Sequence, residues 1–266
     1  MPNPAETYER SIVPYLFRPW AQVLIDRASV QPGERVLDVA CGTGIVAREA
    51  AKIVGSAGKV VGVDVSPAML AVAQEVAAGE GVSAEWRESD AGQLPSGDDS
   101  FDAVFCQQGL QFFPQRDAAV REMHRVLAPG GRALVSVWRD LELHPFFAAL
   151  DEVMRAKLDV GAAAAPFALS DADELHRVLA DAGFSEVSVE QVSMTSRYPD
   201  PERNLYETVQ ALAAVAPALQ GLDEAERARV IEEVTDEMRE ANDAVTEGDH
   251  VVLEWHANVA AARRAP

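Results

Sequence analysis

Apolar positions recur along the chain in two rhythms. Between residues 5 and 29 they fall at helical spacing, at Ile12, Leu16, Trp20, Val23 and Leu24, but Pro14 and Pro19 interrupt the run. Proline removes a backbone donor and crowds the preceding turn, so this stretch predicts two short helices or one kinked helix. Gln31-Pro32-Gly33 closes it as a turn. Short apolar runs then alternate with longer amphipathic stretches. Arg35 to Ala40, Val60 to Val63, Ser83 to Arg87, Phe101 to Cys106 and Arg132 to Trp138 read as strands, the third of them weakly patterned. Helices are predicted over Gly44 to Val54, from Ser66-Pro67 to about Gly79, and over Pro114 to Leu127. Ser66 suits an N-cap and Pro67 a first helical position. Strand alternating with helix predicts a doubly wound, mostly parallel sheet with helices on both faces.

After Trp138 the rhythm changes. Residues 144 to 158 and Ser170 to Ala182 read as helices, separated by an Ala-rich loop at 161–166. Phe184 to Val192 alternates like a strand. Two helices follow without a strand between them, Pro201 to Ala216 and Asp223 to Ala241, and Val251 to Ala260 is the last strand. The helical pair is expected to cap one edge of the sheet, inserted before that final strand. The whole chain, 1–266, is expected to be one domain: an N-terminal helical segment at 1–32, a core at 33–138, and a half at 139–266 with its cap at about 199–245.

Composition narrows the chemistry. The chain has 266 residues, a net charge of -20 and 48% apolar residues, enough for one large core. So acidic a surface repels phosphate backbones, so nucleic acid is not an expected partner. An anionic membrane surface is disfavoured for the same reason. Two cysteines, Cys41 and Cys106, sit in apolar runs and make no disulfide framework. No CxxC or HExxH spacing occurs, so no metal site is expected. The start of the chain lacks a secretory pattern and no apolar run reaches spanning length, so a cytoplasmic protein is expected.

The stretch VLDVACGTG carries the first candidate chemistry. A dinucleotide turn reads GxGxxG, and here Ala47 stands where the third glycine would. Alanine is tolerated there. More telling is Asp38, an acid inside the first strand. A pyrophosphate disfavours a carboxylate so near the turn, whereas a ligand with an amino group welcomes one. Gly42 and Gly44 allow close backbone approach. In VVGVDVSPAML, Asp64 ends the second strand about 20 residues after Gly44, where such folds bind ribose hydroxyls. A carboxylate suits a cis-diol because its two oxygens accept two hydrogen bonds. ESDAGQLP places Asp90 and Ala91 at the end of the third strand. FDAVFCQQGLQFFP places Gln107 at the carboxyl end of the fourth, followed by Gln108, Gln111, Phe112 and Phe113.

These motifs together resemble those of class I S-adenosylmethionine-dependent methyltransferases, and within that class the ubiquinone/menaquinone-type branch that acts on small molecules. The resemblance is specific over residues 33 to 138 and only architectural beyond. It implies a Rossmann-like sheet of seven strands. It implies that Asp38, Ala40, Gly42 and Gly44 hold the methionine part of S-adenosylmethionine and that Asp64 reads its ribose. Val65 and Met69 would flank the adenine, Asp90 and Ala91 would read its edge, and Gln107 would contact the methionine part. Tyr8 and Phe17 could close over the donor, as aromatic residues do in related enzymes. Many relatives carry His-His where this chain has Gln111-Phe112, which removes a titratable base from that position.

Methyl transfer from a sulfonium is an in-line displacement in which alignment is the main catalytic contribution. Carbon and amine acceptors need little further help, and a phenol or alcohol needs a base near the methyl. His144, just past the fifth strand, and Gln111 are the candidates for the catalytic position. His124 and His176 are expected to be solvated, and His250 and His256 structural. Gln108, Phe112, Phe113, Trp138, Phe146 and Phe167 are expected to line an apolar acceptor pocket. The expected function is methylation of a small hydrophobic or aromatic metabolite at oxygen, carbon or nitrogen. Methylation of a peptide carboxylate or amine, a non-catalytic donor-binding module and a nicotinamide oxidoreductase are the alternatives. A homodimer is left open.

Overall fold

A computed structural model describes residues 3–158, 165–215, 219 and 222–266 of the chain. The N-terminal segment breaks where the prolines predict. Helix α1 (Pro4–Ser11) is capped by the Asn3 side chain. A π-helical turn (Val13–Phe17) contains Pro14, and α2 (Arg18–Ala28) starts with Pro19 in its first turn.

The alternating core follows as β1 (Arg35–Val39), α3 (Ile45–Val54), β2 (Lys59–Asp64), α4 (Pro67–Glu80), β3 (Glu85–Glu88), β4 (Phe101–Gln107), α5 (Arg116–Val126) and β5 (Leu127–Trp138). Ser66 caps α4 by accepting from Met69 N–H, as its position predicts. Two boundaries differ from expectation. β3 ends at Glu88, so Asp90 lies beyond the strand. β5 begins at Leu127, directly where α5 ends, because Phe101 of β4 already pairs with Leu127 across a bulge.

The second half contains α6 (Pro145–Leu158), α7 (Ala172–Asp181), β6 (Ser185–Pro199), α8 (Pro201–Val215), α9 (Glu224–Glu237), α10 (Arg239–Ala244), β7 (Thr246–Glu247) and β8 (His250–Arg263). Positions 161–164 of the expected Ala-rich loop lie outside the described residues, as does Ala216 at the end of the first cap helix. β6 and β8 are longer than their alternation suggests, because they pair with each other from Ser185↔Arg263 to Pro199↔His250.

The strand order is β3-β2-β1-β4-β5-β8-β6, with the two-residue β7 paired to β8. Seven strands match the expected sheet and the short β7 is an eighth. β1 to β5 are parallel, and β8 runs antiparallel to β5, β6 and β7. Side chains alternate between two cores. Val36, Phe105 and Leu134 pack under α2 and α3, while Leu37, Val104 and Val135 pack against α5 and α7. The order reverses between β1 and β4, which opens a crevice at their carboxyl ends. α8 to α10 fill the excursion between β6 and β8, as the expected cap.

Candidate functional site

The carboxyl ends of β1 and β4 leave the sheet through strained turns. Ala40 has φ 55° and Gln108 has φ 52°, both in the left-handed region that non-glycine residues avoid. Such outliers persist only where the surroundings dictate them, and they gather at functional sites. The two turns rest on each other, since a Cβ on Gly109 would sit 2.7 Å from the Cβ of Ala40.

The two glycines of the first turn differ in kind. Both have positive φ, 54° at Gly42 and 81° at Gly44. A Cβ on Gly44 would fall inside the indole of Trp86, so this glycine is required by packing. A Cβ on Gly42 would meet nothing within 4 Å. The space beside Gly42 is open, in the turn where a bound ligand would lie.

Two acids converge on this turn. Asp38 is buried, and its Oδ2 accepts from Ala47 N–H at 3.0 Å. Burial pushes its carboxyl up to about 8, with the charge of Asp64 adding and the Ala47 bond opposing. Asp64 is half-buried at the end of β2. Its Oδ2 accepts from Gly42 N–H at 2.8 Å and its Oδ1 from Ser66 N–H at 2.9 Å. Each oxygen of a carboxylate accepts twice, so one acceptor position on each remains for a diol. Val65 next to it is 70% exposed, an apolar side chain left in water. Met69 is half-buried on the first turn of α4. Asp90 is exposed, and its Oδ1 accepts from Gly92 N–H at 2.7 Å, so this acid holds its own turn. Half-buried Ala91 packs on the α5 side of the sheet.

From β4, Gln107 donates through Nε2 to Phe17 C=O at 2.9 Å and leaves its buried Oε1 without a partner. Thr43 Oγ1 is also buried and unpartnered. Gln111 Nε2 donates to Gln108 Oε1 at 3.4 Å, leaving Gln108 Nε2 and Gln111 Oε1 buried and unpaired. Swapping the nitrogen and oxygen of both amides leaves the same inventory, one free donor and one free acceptor. The pair therefore offers a neutral donor–acceptor couple to whatever fills the space. Unpaired buried polar groups are costly and few in folded chains, so their concentration at one sheet edge makes it the candidate place for a polar ligand.

The aromatic expectations need correction. Trp138, Phe146 and Phe167 are buried, and with Trp255 and Phe147 they form a closed cluster. Ring centroids stand 4.7 Å apart for Trp138–Trp255 and 4.9 Å for Phe147–Trp255. The cap packs down on these rings, so among the described residues they form its core. Phe112 is 53% exposed, and Phe113 is half-buried against the α5 side. The track continues to the N-terminus through Phe17, 6.5 Å from Trp138 and 5.4 Å from Tyr8.

His144 is the second correction. It is buried, its Nδ1 lies 3.0 Å from Asp140 C=O and its Nε2 accepts from His256 N–H at 3.1 Å. Burial lowers its pKa to about 4. A neutral imidazole with both nitrogens engaged has no lone pair for a substrate proton, so His144 ties β8 to the loop after β5. His124, expected in solvent, is half-buried with its ring edge-on to Phe184 at 5.0 Å. The phenol of Tyr8 is held well above the usual tyrosine range by burial first, then by Glu9, Asp64 and Asp38. Tyr8 thus stands within the field of both site acids. Thr43 and Trp86 went unremarked in the sequence. Thr43 lies in the glycine turn itself, whereas the fit of Trp86 to Gly44 is a tertiary contact with no local signal. Among the described residues no group of three or more His, Cys, Asp or Glu could hold a metal ion. No helix among them is long and apolar enough to cross a membrane.

Known proteins resemble this chain in sequence and in fold. A family profile described as a methyltransferase domain matches residues 36–131. The 2-phytyl-1,4-naphtoquinone methyltransferase of Synechococcus elongatus is 37% identical over 147 residues, covering 54% of this chain and 61% of that enzyme. The match therefore spans less than two thirds of that relative's length. The ubiquinone/menaquinone biosynthesis C-methyltransferase UbiE of Chromobacterium violaceum is 34% identical over 184 residues, covering 65% of this chain and 75% of that one. The crystal structure of the YcgJ protein of Bacillus subtilis superposes with a TM-score of 0.61 at 21% identity, covering 92% of this chain and 98% of that one.

Proposed function

Because the chain belongs to the class I S-adenosylmethionine-dependent methyltransferases, we propose that it methylates a small, hydrophobic or aromatic metabolite. The observation that carries this reading is the edge between β1 and β4. There Asp38 is a buried acid bonded to the Ala47 N–H, Gly42 faces open space, and Thr43 Oγ1 and Gln107 Oε1 lack partners. This donor set fits S-adenosylmethionine. Asp38 suits the amino group of its methionine part, since a neighbouring cation favours the ionised acid. Gly42, Ala40 and Thr43 offer backbone and hydroxyl contacts, and Gln107 a free amide oxygen. Asp64 suits the ribose diol, and exposed Val65 with Met69 the adenine face. For Asp90, the turn it already makes with Gly92 leaves its second oxygen for the adenine edge.

When bound, S-adenosylmethionine supplies a methyl group already activated as a sulfonium. The chain's own task is then alignment and exclusion of water. The neutral couple of Gln108 and Gln111 can orient a hydroxyl, carbonyl or amide of the acceptor without a charge. With His144 sealed, the reading favours an acceptor nucleophilic without a base. An electron-rich ring carbon, an amine and an ionised oxygen all qualify. The buried, neutral amide couple also suits a small molecule better than a peptide.

The test uses methyl-labelled donor, the protein and an extract of the producing cells, with products split into organic-soluble and peptide fractions. Label in the organic fraction is expected, and its mass would identify the acceptor. Label confined to peptides, and released by mild base, would overturn the small-molecule reading in favour of a methyl ester.

A further inference from the structure

Asp38 and Thr43 are each 1% exposed and Gln107 is 9% exposed. The N-terminal segment lies beside this buried set. That segment is residues 3–17: Phe17 C=O holds the Gln107 amide, and Tyr8 lies in the field of Asp38 and Asp64. The apolar hold on α1 is small: Ala5 is buried and Tyr8 packs half-buried against the core. A short helix with so small a buried face needs another anchor.

The anchor is an ion pair. Glu9, next to Tyr8, accepts from Arg48 Nη2 at 2.6 Å. Arg48 is fully buried and sits on α3, the helix that the glycine turn opens. Its Nη1 donates to Glu80 Oε1 at 2.5 Å, at the end of α4. Arg18, at the start of α2, joins the cluster through Glu49 at 2.6 Å and Glu80 at 3.2 Å. The other charged link from α1, Arg10 to Glu207 at 3.8 Å with Arg10 largely exposed, is of the weak surface kind. A buried ion pair contributes less to net stability than to a defined arrangement.

We propose that Arg48 is a positioning residue for the donor: through Glu9 it docks α1 on the helix of the donor turn, so that Tyr8 closes over the bound ligand. The proposal rests on the donor reading above. Glu80 supplies an internal control. Glu9→Gln and Glu80→Gln each take one carboxylate from Arg48 and leave it the other, but only the first releases α1.

The experiment titrates S-adenosylhomocysteine into wild type and both variants by calorimetry, with thermal melts and hydrogen exchange of the α1 amides. Both variants should lose a few degrees of Tm. Glu9→Gln alone should raise Kd about tenfold, as expected when the closed state falls to roughly a tenth of its population. It alone should exchange faster in α1 and lose the protection that ligand gives there. An unchanged Kd for Glu9→Gln, or equal weakening in both variants, would reduce Arg48 to a structural brace and overturn the proposal. Failure of wild type to bind S-adenosylhomocysteine at all would overturn the donor reading, and the positioning role with it.

Discussion

Asp38 and Asp64 lie near the carboxyl ends of neighbouring strands and carry the same carboxylate, yet their surroundings give them different properties. Asp38, 1% exposed with one backbone donor, has its pKa raised from 3.8 to about 8. The folded chain therefore keeps a proton that the unfolded chain has lost over that interval. Stability from this group is full below 3.8 and is lost as pH rises toward 8. Across pH 4 to 9, the Tm of wild type should fall relative to Asp38→Asn, and parallel curves would refute this account. His144 carries the opposite sign. Its folded pKa of about 4 lies below the ordinary 6.5, so its contribution is present above 6.5 and lost as pH falls through 4. Asp64 already serves Gly42 and Ser66. Replacing it with alanine should lower Tm and weaken S-adenosylhomocysteine binding by about 1–3 kcal/mol, from groups left unpaired. A Kd equal to wild type would remove the ribose assignment.

Among the elements, the turn from β1 to α3 carries two separable demands. Gly44→Ala puts a methyl into Trp86 and an alanine at φ 81°, which should cost on the order of 3 kcal/mol. Gly42→Ala faces open space at φ 54° and should cost about 1–2 kcal/mol. Chemical denaturation should rank Gly44→Ala well below Gly42→Ala in stability, while donor titration of the folded Gly42→Ala protein shows weakened binding. Equal destabilisation would mean that Trp86 moves aside. This turn was legible in the sequence because its signals are local: an apolar run, an acid, two glycines. The edge strand β3, Glu85–Glu88, was less so, since its residues EWRE carry no apolar alternation. The two-residue β7 has no pattern at all. The aromatic residues were legible as apolar mass, but whether Phe146 and Phe167 line a pocket or fill a core depends on how the cap descends on Trp255. The partner that seals His144 is a backbone N–H 112 residues away, which no local pattern announces.

For the whole molecule the dominant fact is a net charge of -20. Such self-repulsion opposes the compact state and is screened over about 8 Å at physiological salt. Many of the ion pairs have an exposed partner and contribute little. Raising sodium chloride from about 0.01 to about 0.5 M should therefore raise the Tm, as repulsion beyond the Debye length fades. A falling Tm would show that the ion pairs outweigh the repulsion. One more consequence follows from the β6–β8 pairing. Pro199 and His250 face each other as the last rung of that ladder, so the chain between them departs from and returns to one point of the sheet, with the two-residue β7 pairing to β8 just before the return. An excursion whose ends meet across one pair of strands can lengthen, shorten or be exchanged without shifting the register below it. The glycine turn and its two acids lie elsewhere, at the ends of β1 and β2. The fold thus separates what an enzyme of this kind must keep from what it is free to vary. Grafting a different cap between Pro199 and His250 is a route, for evolution or for an engineer, to vary that side of the molecule while β1 to β5 keep their register.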